Sequence, residues 1–214
     1  MTHIVPLDDR GSFAWIAHPD EGMQRASSAV VTASGILVVD PVDFDGLDVA
    51  LGRLGLVAGV VQLLDRHSRD VAPVAARHAA PVLVPRALGG EGERLAIDGV
   101  HELTVLAMRG WHEAALWLPD RGLLICTEAV GTAEYYLARD GDALGIHPLL
   151  RLRPPAGALA GIEPSVIAVG HGAPIVQGAA AALAVALRRS RRDLPRAWGR
   201  VLGRRLHRRR NQVG

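Results

Sequence analysis

The sequence contains no lysine; all 24 of its basic residues are arginine. It has one cysteine, Cys126, so no intramolecular disulfide can staple the fold. The apolar run LLICT around Cys126 marks its thiol as a small packing group rather than a nucleophile. No apolar run reaches the roughly 18 residues that a membrane span needs. The stretch from Met1 to Gly11 mixes His3, Asp8, Asp9 and Arg10 and has no apolar core of a secretory signal. These absences argue against a membrane span and a disulfide framework, and they predict a cytoplasmic protein.

What is present is a chain of 214 residues, 49% of them hydrophobic, enough for one substantial domain with a large core. The net charge of +2 hides an uneven distribution. Between Arg188 and Arg210 there are eleven arginines and one acid, Asp193, whereas the rest of the chain sets 13 arginines against 21 acids. An acidic body over residues 1–187 and an Arg-rich helix and tail over residues 188–214 are therefore expected. Asp193-Leu194-Pro195 resembles a helix start, and Leu194, Trp198, Val201, Leu202 and Leu206 recur at three- and four-residue spacing. The favoured reading is a docked helix with arginines on its outer face. Contact with nucleic acid or an anionic membrane, and self-association through the acidic body of another copy, are the lesser alternatives.

Along the body the pattern is that of an α/β protein. FAWIA and SSAVVTASGILVVD read as antiparallel strands with a Ser34-Gly35 turn, and residues 46–57 have helical spacing. A strand follows over residues 59–64, then a short helix in VAPVAARHAA and a strand in PVLVP. From Glu91 to Ile125 the runs ERLAI, HELTVLAM, EAALWLP and GLLIC predict an antiparallel sheet. Residues 129–160 are loop-rich. SVIAVGHGAPI then gives a strand over residues 166–169 that ends at Gly170-His171-Gly172, followed by the helix GAAAALAVALRRS.

Metal-capable side chains gather where these strands begin or end. VVQLLDRHSRDV puts Asp65, His67 and Asp70 after one strand, RGWHEAALWL puts His112 before another, Glu128 follows LLICT, and His171 lies between two glycines. If the strand ends share one edge, three imidazoles and three carboxylates form a donor set suited to Zn²⁺, Mn²⁺ or Fe²⁺. His3, His18, His78, His101 and His207 lack this context and read as surface residues.

The order of these segments resembles the metallo-β-lactamase family, across nearly the whole chain from SSAVVTASGILVVDP to GHGAP. The resemblance implies a four-layer αββα sandwich with a metal site along one edge of its two sheets, here extended by a basic C-terminal helix. Against the family signature T-H-x-H-x-D-H, LLDRHSRDV puts Asp65 at the first His, His67 at the second, Arg69 at the Asp and Asp70 at the last His. His112 matches a later His, Glu128 stands for the Asp that bridges two metals, and His171 matches the final Gly-His. Asp40 matches an Asp that supports the site from behind. Arg69 is the sharpest departure, because a guanidinium cannot ligate a metal and would fill the space of a second cation.

Two readings follow. In the first, one divalent metal is held by Asp65, His67 and His112, with His171 completing its shell. Asp70 or Glu128 accepts a proton and Arg69 binds an anionic group, so that water attacks an ester, thioester, lactone or phosphoester. Trp111, Tyr135, Tyr136 and His147 would line the pocket for this small-molecule substrate. In the second, no metal binds; Arg69 pairs with Asp70 and Glu128, and the protein holds a ligand or partner without catalysis.

Overall fold

The computed structural model of the protein describes residues 2–89 and 92–211, with side chains through residue 203. The first half of the chain runs β1 (His3–Pro6), β2 (Phe13–Ile16), β3 (Ala26–Thr32), β4 (Gly35–Val39), α1 (Leu47–Gly52), β5 (Val57–Val61), α2 (Val71–Arg77), β6 (Val82–Val84) and β7 (Glu93–Arg94). These strands form one sheet in sequence order, antiparallel from β1 to β4 and parallel from β4 to β7. The second half supplies β8 (His101–Met108), β9 (Trp111–Leu118), β10 (Leu123–Ile125), the small pair β11 (Val130–Gly131) and β12 (Gly145–Ile146), α3 (Ala156–Leu159), β13 (Val166–Ala168), α4 (Ala179–Arg189) and α5 (Leu194–Asn211). Its sheet has the order β13-β10-β9-β8, with β13 parallel to β10.

Side-chain alternation along the strands explains how two such sheets stack. Successive residues of a strand face opposite sides. In β4, Leu37 and Val39 point to the layer between the sheets, while Ile36 and Val38 pack under α1 and α2 with Leu47, Leu51, Val71 and Val74. In the other sheet Leu116, Leu123 and Ile125 face the shared layer, while Ala115, Leu124 and Ile167 face Leu159 of α3 and Leu183 of α4. Both faces of both sheets are thus buried, which requires the near-continuous apolar runs seen in ILVV and GLLIC. The result is the expected four-layer αββα sandwich.

Several boundaries differ from the sequence expectation. α1 stops at Gly52 rather than running to residue 57, because Gly55 takes φ +133° and the chain turns into β5. β7, in the ERLAI run, joins β6 in the first sheet instead of the antiparallel second one. The loop-rich stretch holds the β11/β12 pair, and β1 adds an edge strand that the sequence did not announce. α4 continues to Arg189, so the expected division at 187/188 falls inside a helix. In α5, Ala197 and Val201 are buried and Leu202 is turned outward, a narrower seam than the spacing suggested. The expectations for Leu206, His207 and the arginine face beyond residue 203 lie outside the described side chains. None of the described helices is long and apolar enough to cross a membrane.

Candidate metal centre

The ends of β4, β5, β10 and β13 meet at one edge of the sandwich. Asp40 follows β4, His67 lies in the turn after β5, Glu128 follows β10 and His171 follows β13. His67 Nε2 and His171 Nε2 each lie 3.1 Å from the same oxygen, Glu128 Oε2. One ligand atom from each of the three residues falls within 4.8 Å of the others.

The far side of each ring decides what this convergence means. His67 Nδ1 is 3.3 Å from Asp40 Oδ2, and His171 Nδ1 is 3.0 Å from the carbonyl oxygen of Met23. A carboxylate and a carbonyl only accept, so both Nδ1 atoms carry a proton and both rings turn Nε2 toward an anionic oxygen. Three lone-pair donors aimed at one point require positive charge there: a metal ion, or extra protons on the imidazoles. Burial opposes protonation of His67, but its bonds to Asp40 and Glu128 outweigh that and raise its pKa. Burial likewise opposes ionisation of Glu128, yet the imidazoles of His171 and His67 hold it well below the usual carboxylate range. The spacings suit bonds of about 2.0–2.2 Å to a central ion, and Asp40 and Met23 orient the rings as outer partners of ligating histidines do. The residues present fit a divalent metal.

The surroundings hold this cluster in place. The backbone N–H groups of Thr132 and Ala133 both donate to the carbonyl of His171, and the flanking glycines leave no room for side chains: a Cβ on Gly170 would stand 2.6 Å from the Thr127 carbonyl oxygen. Glu113, fully buried, accepts from Thr127 Oγ1 and from the backbone N–H groups of Glu128 and Ala129 at 2.8–3.1 Å, and its second oxygen accepts from Trp111 Nε1. It thereby fixes the loop that carries Glu128, although burial raises its own pKa. His147 Nε2 faces Glu128 Oε1 at 3.4 Å. Its Nδ1 accepts from the Leu149 N–H, so the proton is on Nε2 and this ring is a donor toward Glu128, not a metal ligand. Burial pushes His147 down to about 4, which keeps it neutral at pH 7.

Solved structures similar to this chain are metallo-β-lactamases. The DIM-1 metallo-β-lactamase superposes with a TM-score of 0.60 at 12% identity, over 92% of this chain and 98% of the other. A metallo-β-lactamase from Pontibacter korlensis gives 0.55 at 12% identity over 88% and 99%, and FIM-1 from Pseudomonas aeruginosa, in its mono-zinc form, gives 0.52 at 10% over 89% and 96%. The chain has the metallo-β-lactamase fold. No family model matches its sequence, and no curated protein does so significantly.

Within this metallo-β-lactamase fold, three of the six expected metal-site residues come together and three do not. Asp65 and His112 pair with each other on the exposed rim: Asp65 Oδ2 accepts from the His112 backbone N–H at 2.9 Å and lies 3.2 Å from its Nδ1. Strand alternation is the cause, because Trp111 and Glu113 of β9 point inward and His112 between them cannot. Asp70 stands at the start of α2, where its carboxylate accepts from the Asp43 N–H. Neither Asp65 nor Asp70 joins the group formed by His67, Glu128 and His171.

Arg69 also departs from expectation. Its guanidinium donates to the backbone carbonyls of Ala26, Asp40 and Gly170 at 2.6–3.0 Å, not to Asp70 or Glu128. It ties together three strand-end carbonyls behind the site. Both Asp40 and Arg69 adopt left-handed backbone, with φ +43° and +33°, a strain that places their side chains here. Among the expected lining residues, Trp111, Tyr136 and His147 are buried around Glu128, and Arg66 lies over the Trp111 ring at 4.2 Å. Cys126 is buried and free, and burial keeps its thiol protonated.

Proposed function

We propose that the chain is a metal-dependent hydrolase that holds one divalent cation between His67, Glu128 and His171 and acts on an ester, thioester, lactone or phosphoester. The observation that carries this reading is the shared direction of three lone pairs, with each imidazole locked from behind into the tautomer a metal needs. A bound Zn²⁺, Mn²⁺ or Fe²⁺ supplies Lewis acidity at the substrate oxygen and lowers the pKa of water. The chain's own part is positional. Asp40 and the Met23 carbonyl keep both Nε2 atoms free, Glu113 holds the Glu128 loop, and His147 presents an N–H to the second oxygen of Glu128. Arg69, engaged with carbonyls, keeps one fixed positive charge behind the site in place of a second metal. The non-catalytic alternative needed Arg69 to pair with Asp70 and Glu128, and that pairing is absent.

The test is a panel of carboxylic esters, thioesters, lactones and phosphodiesters, assayed with the full chain after loading with each ion. Turnover of one class that a chelator abolishes and re-added metal restores supports the reading. Metal-loaded protein inert toward every class would sink the hydrolase assignment while leaving the metal centre intact.

A further inference from the structure

Around the start of α5 the surface exposes apolar and basic side chains together. Leu149 and Leu152, in and just after the turn Pro148–Leu150, are each 61% exposed, and Leu202 of α5 is 53% exposed. The turn packs against α5, and Arg191 Nε donates to the Leu152 carbonyl at 2.9 Å, which joins these leucines to the basic helix in one surface. Trp198, partly buried, stands one helical turn before Leu202 on the same side of α5. Residues 147–153 and 188–203 contain eight arginines and a single acid, Asp193, which is buried and already paired with Arg139. Arg153, Arg191 and Arg192 are exposed, and none of them pairs with a carboxylate among the described residues. The sequence of α5 continues past Gly203 with five more arginines and no acid.

We propose that this face docks on an anionic lipid bilayer, with its arginines against the headgroups and its leucines in the acyl boundary. The combination of the two side-chain types carries the choice. Arginines alone would suit a nucleic acid equally, because phosphodiesters and anionic headgroups present the same charge. Exposed leucines gain nothing from a phosphate backbone, but they leave water when they enter a bilayer. An indole beside them suits the headgroup level, where its ring and its N–H meet different surroundings. The surface borders the candidate centre: Leu149 is two residues from His147, whose Nε2 faces Glu128 Oε1. Docking itself does not depend on a bound metal.

The experiment is cosedimentation of the full chain with vesicles of phosphatidylcholine alone and of phosphatidylcholine mixed with phosphatidylglycerol, at low and high salt. Duplex DNA and single-stranded RNA oligonucleotides are titrated in parallel. The variants are Leu149→Ser/Leu152→Ser and Arg153→Gln/Arg192→Gln, all at exposed positions, and thermal unfolding confirms that each is folded. Expected are binding to the anionic vesicles that weakens with salt, none to phosphatidylcholine alone, and a loss of vesicle affinity of roughly tenfold or more in the leucine variant. The arginine variant should lose affinity for the anionic vesicles as well. If the double leucine variant melts early, Leu149→Ser and Leu152→Ser are measured singly, and each should lose part of the affinity. Unchanged vesicle binding in a folded leucine variant overturns the proposal, as does equal binding to both vesicles or binding to neither. Tighter binding to an oligonucleotide than to vesicles, indifferent to the leucines, would assign the face to nucleic acid instead. A dimer that the leucine variant abolishes, with no vesicle binding, would assign it to a second copy of the chain.

Discussion

His67 and His171 show how much a second hydrogen bond decides. Each ring alone is an ordinary polar residue, but each is fixed at Nδ1 by an acceptor, so the lone pair at Nε2 has one direction. These two, with Glu128, were legible in the sequence because each follows an apolar strand. Glu113 and His147 were not. Glu113 hides beside His112 in a strand whose inward positions only the pairing with β8 and β10 fixes, and His147 lies in a stretch without periodicity. An acid in an apolar strand was the available clue to Glu113. Its role makes a prediction: Glu113→Gln substitutes an amide NH₂ for one accepting oxygen among four donors, and should lower unfolding free energy by about 1–3 kcal/mol. Denaturant melts measure this, and a variant as stable as wild type would show that the carboxylate does not anchor the Glu128 loop.

At the scale of elements, the parallel strand ends put the site where α/β sheets gather their loops. The glycines around His171 allow close approach there: Gly170→Ala would drive a methyl group against the Thr127 carbonyl and should cost about 1–3 kcal/mol by overpacking, read as a lower melting temperature. The junction of α4 and α5 is governed by charge. Asp193 is buried, and the Arg139 guanidinium, 2.5 Å from its Oδ1, holds its carboxyl below the ordinary value of 3.8. A depressed carboxylate pKa stabilises the fold fully above the unfolded value, and that contribution fades as pH falls through the folded one. The difference in melting temperature between wild type and Asp193→Asn should therefore be constant above about pH 5 and shrink below about pH 4. A difference that grows toward acid would contradict the pairing.

For the whole molecule, the apolar runs pointed to an α/β protein with buried sheets, and the sandwich itself was implied by the resemblance of the segment order to the metallo-β-lactamase family. The periodicity did not reveal which strand ends would face the same point, since that depends on sheet order, and so Asp65, Asp70 and His112 were grouped with a cluster they do not join. The composition shift at residue 187 falls within α4, which runs to Arg189. The charge shift after residue 187 suggested a separate tail, but Ser190 Oγ donates to the Arg151 carbonyl, Asp193 pairs with Arg139, and Ala197 and Val201 are buried. A chain ending at Leu187 should melt several degrees lower than one ending at Gly203, about 2–4 °C for each kcal/mol lost in a protein of this size. Equal melting temperatures would restore the tail to an independent appendage. The claim on which most depends is one metal per chain at His67, Glu128 and His171, and the direct measurement is elemental mass spectrometry on untagged protein purified without chelators. About one equivalent of zinc, manganese or iron in wild type and in Asp65→Ala/His112→Ala, lost in His67→Ala/His171→Ala, is the expected result. Metal that follows the Asp65/His112 pair, or none in any of the three after incubation with each ion, would contradict it.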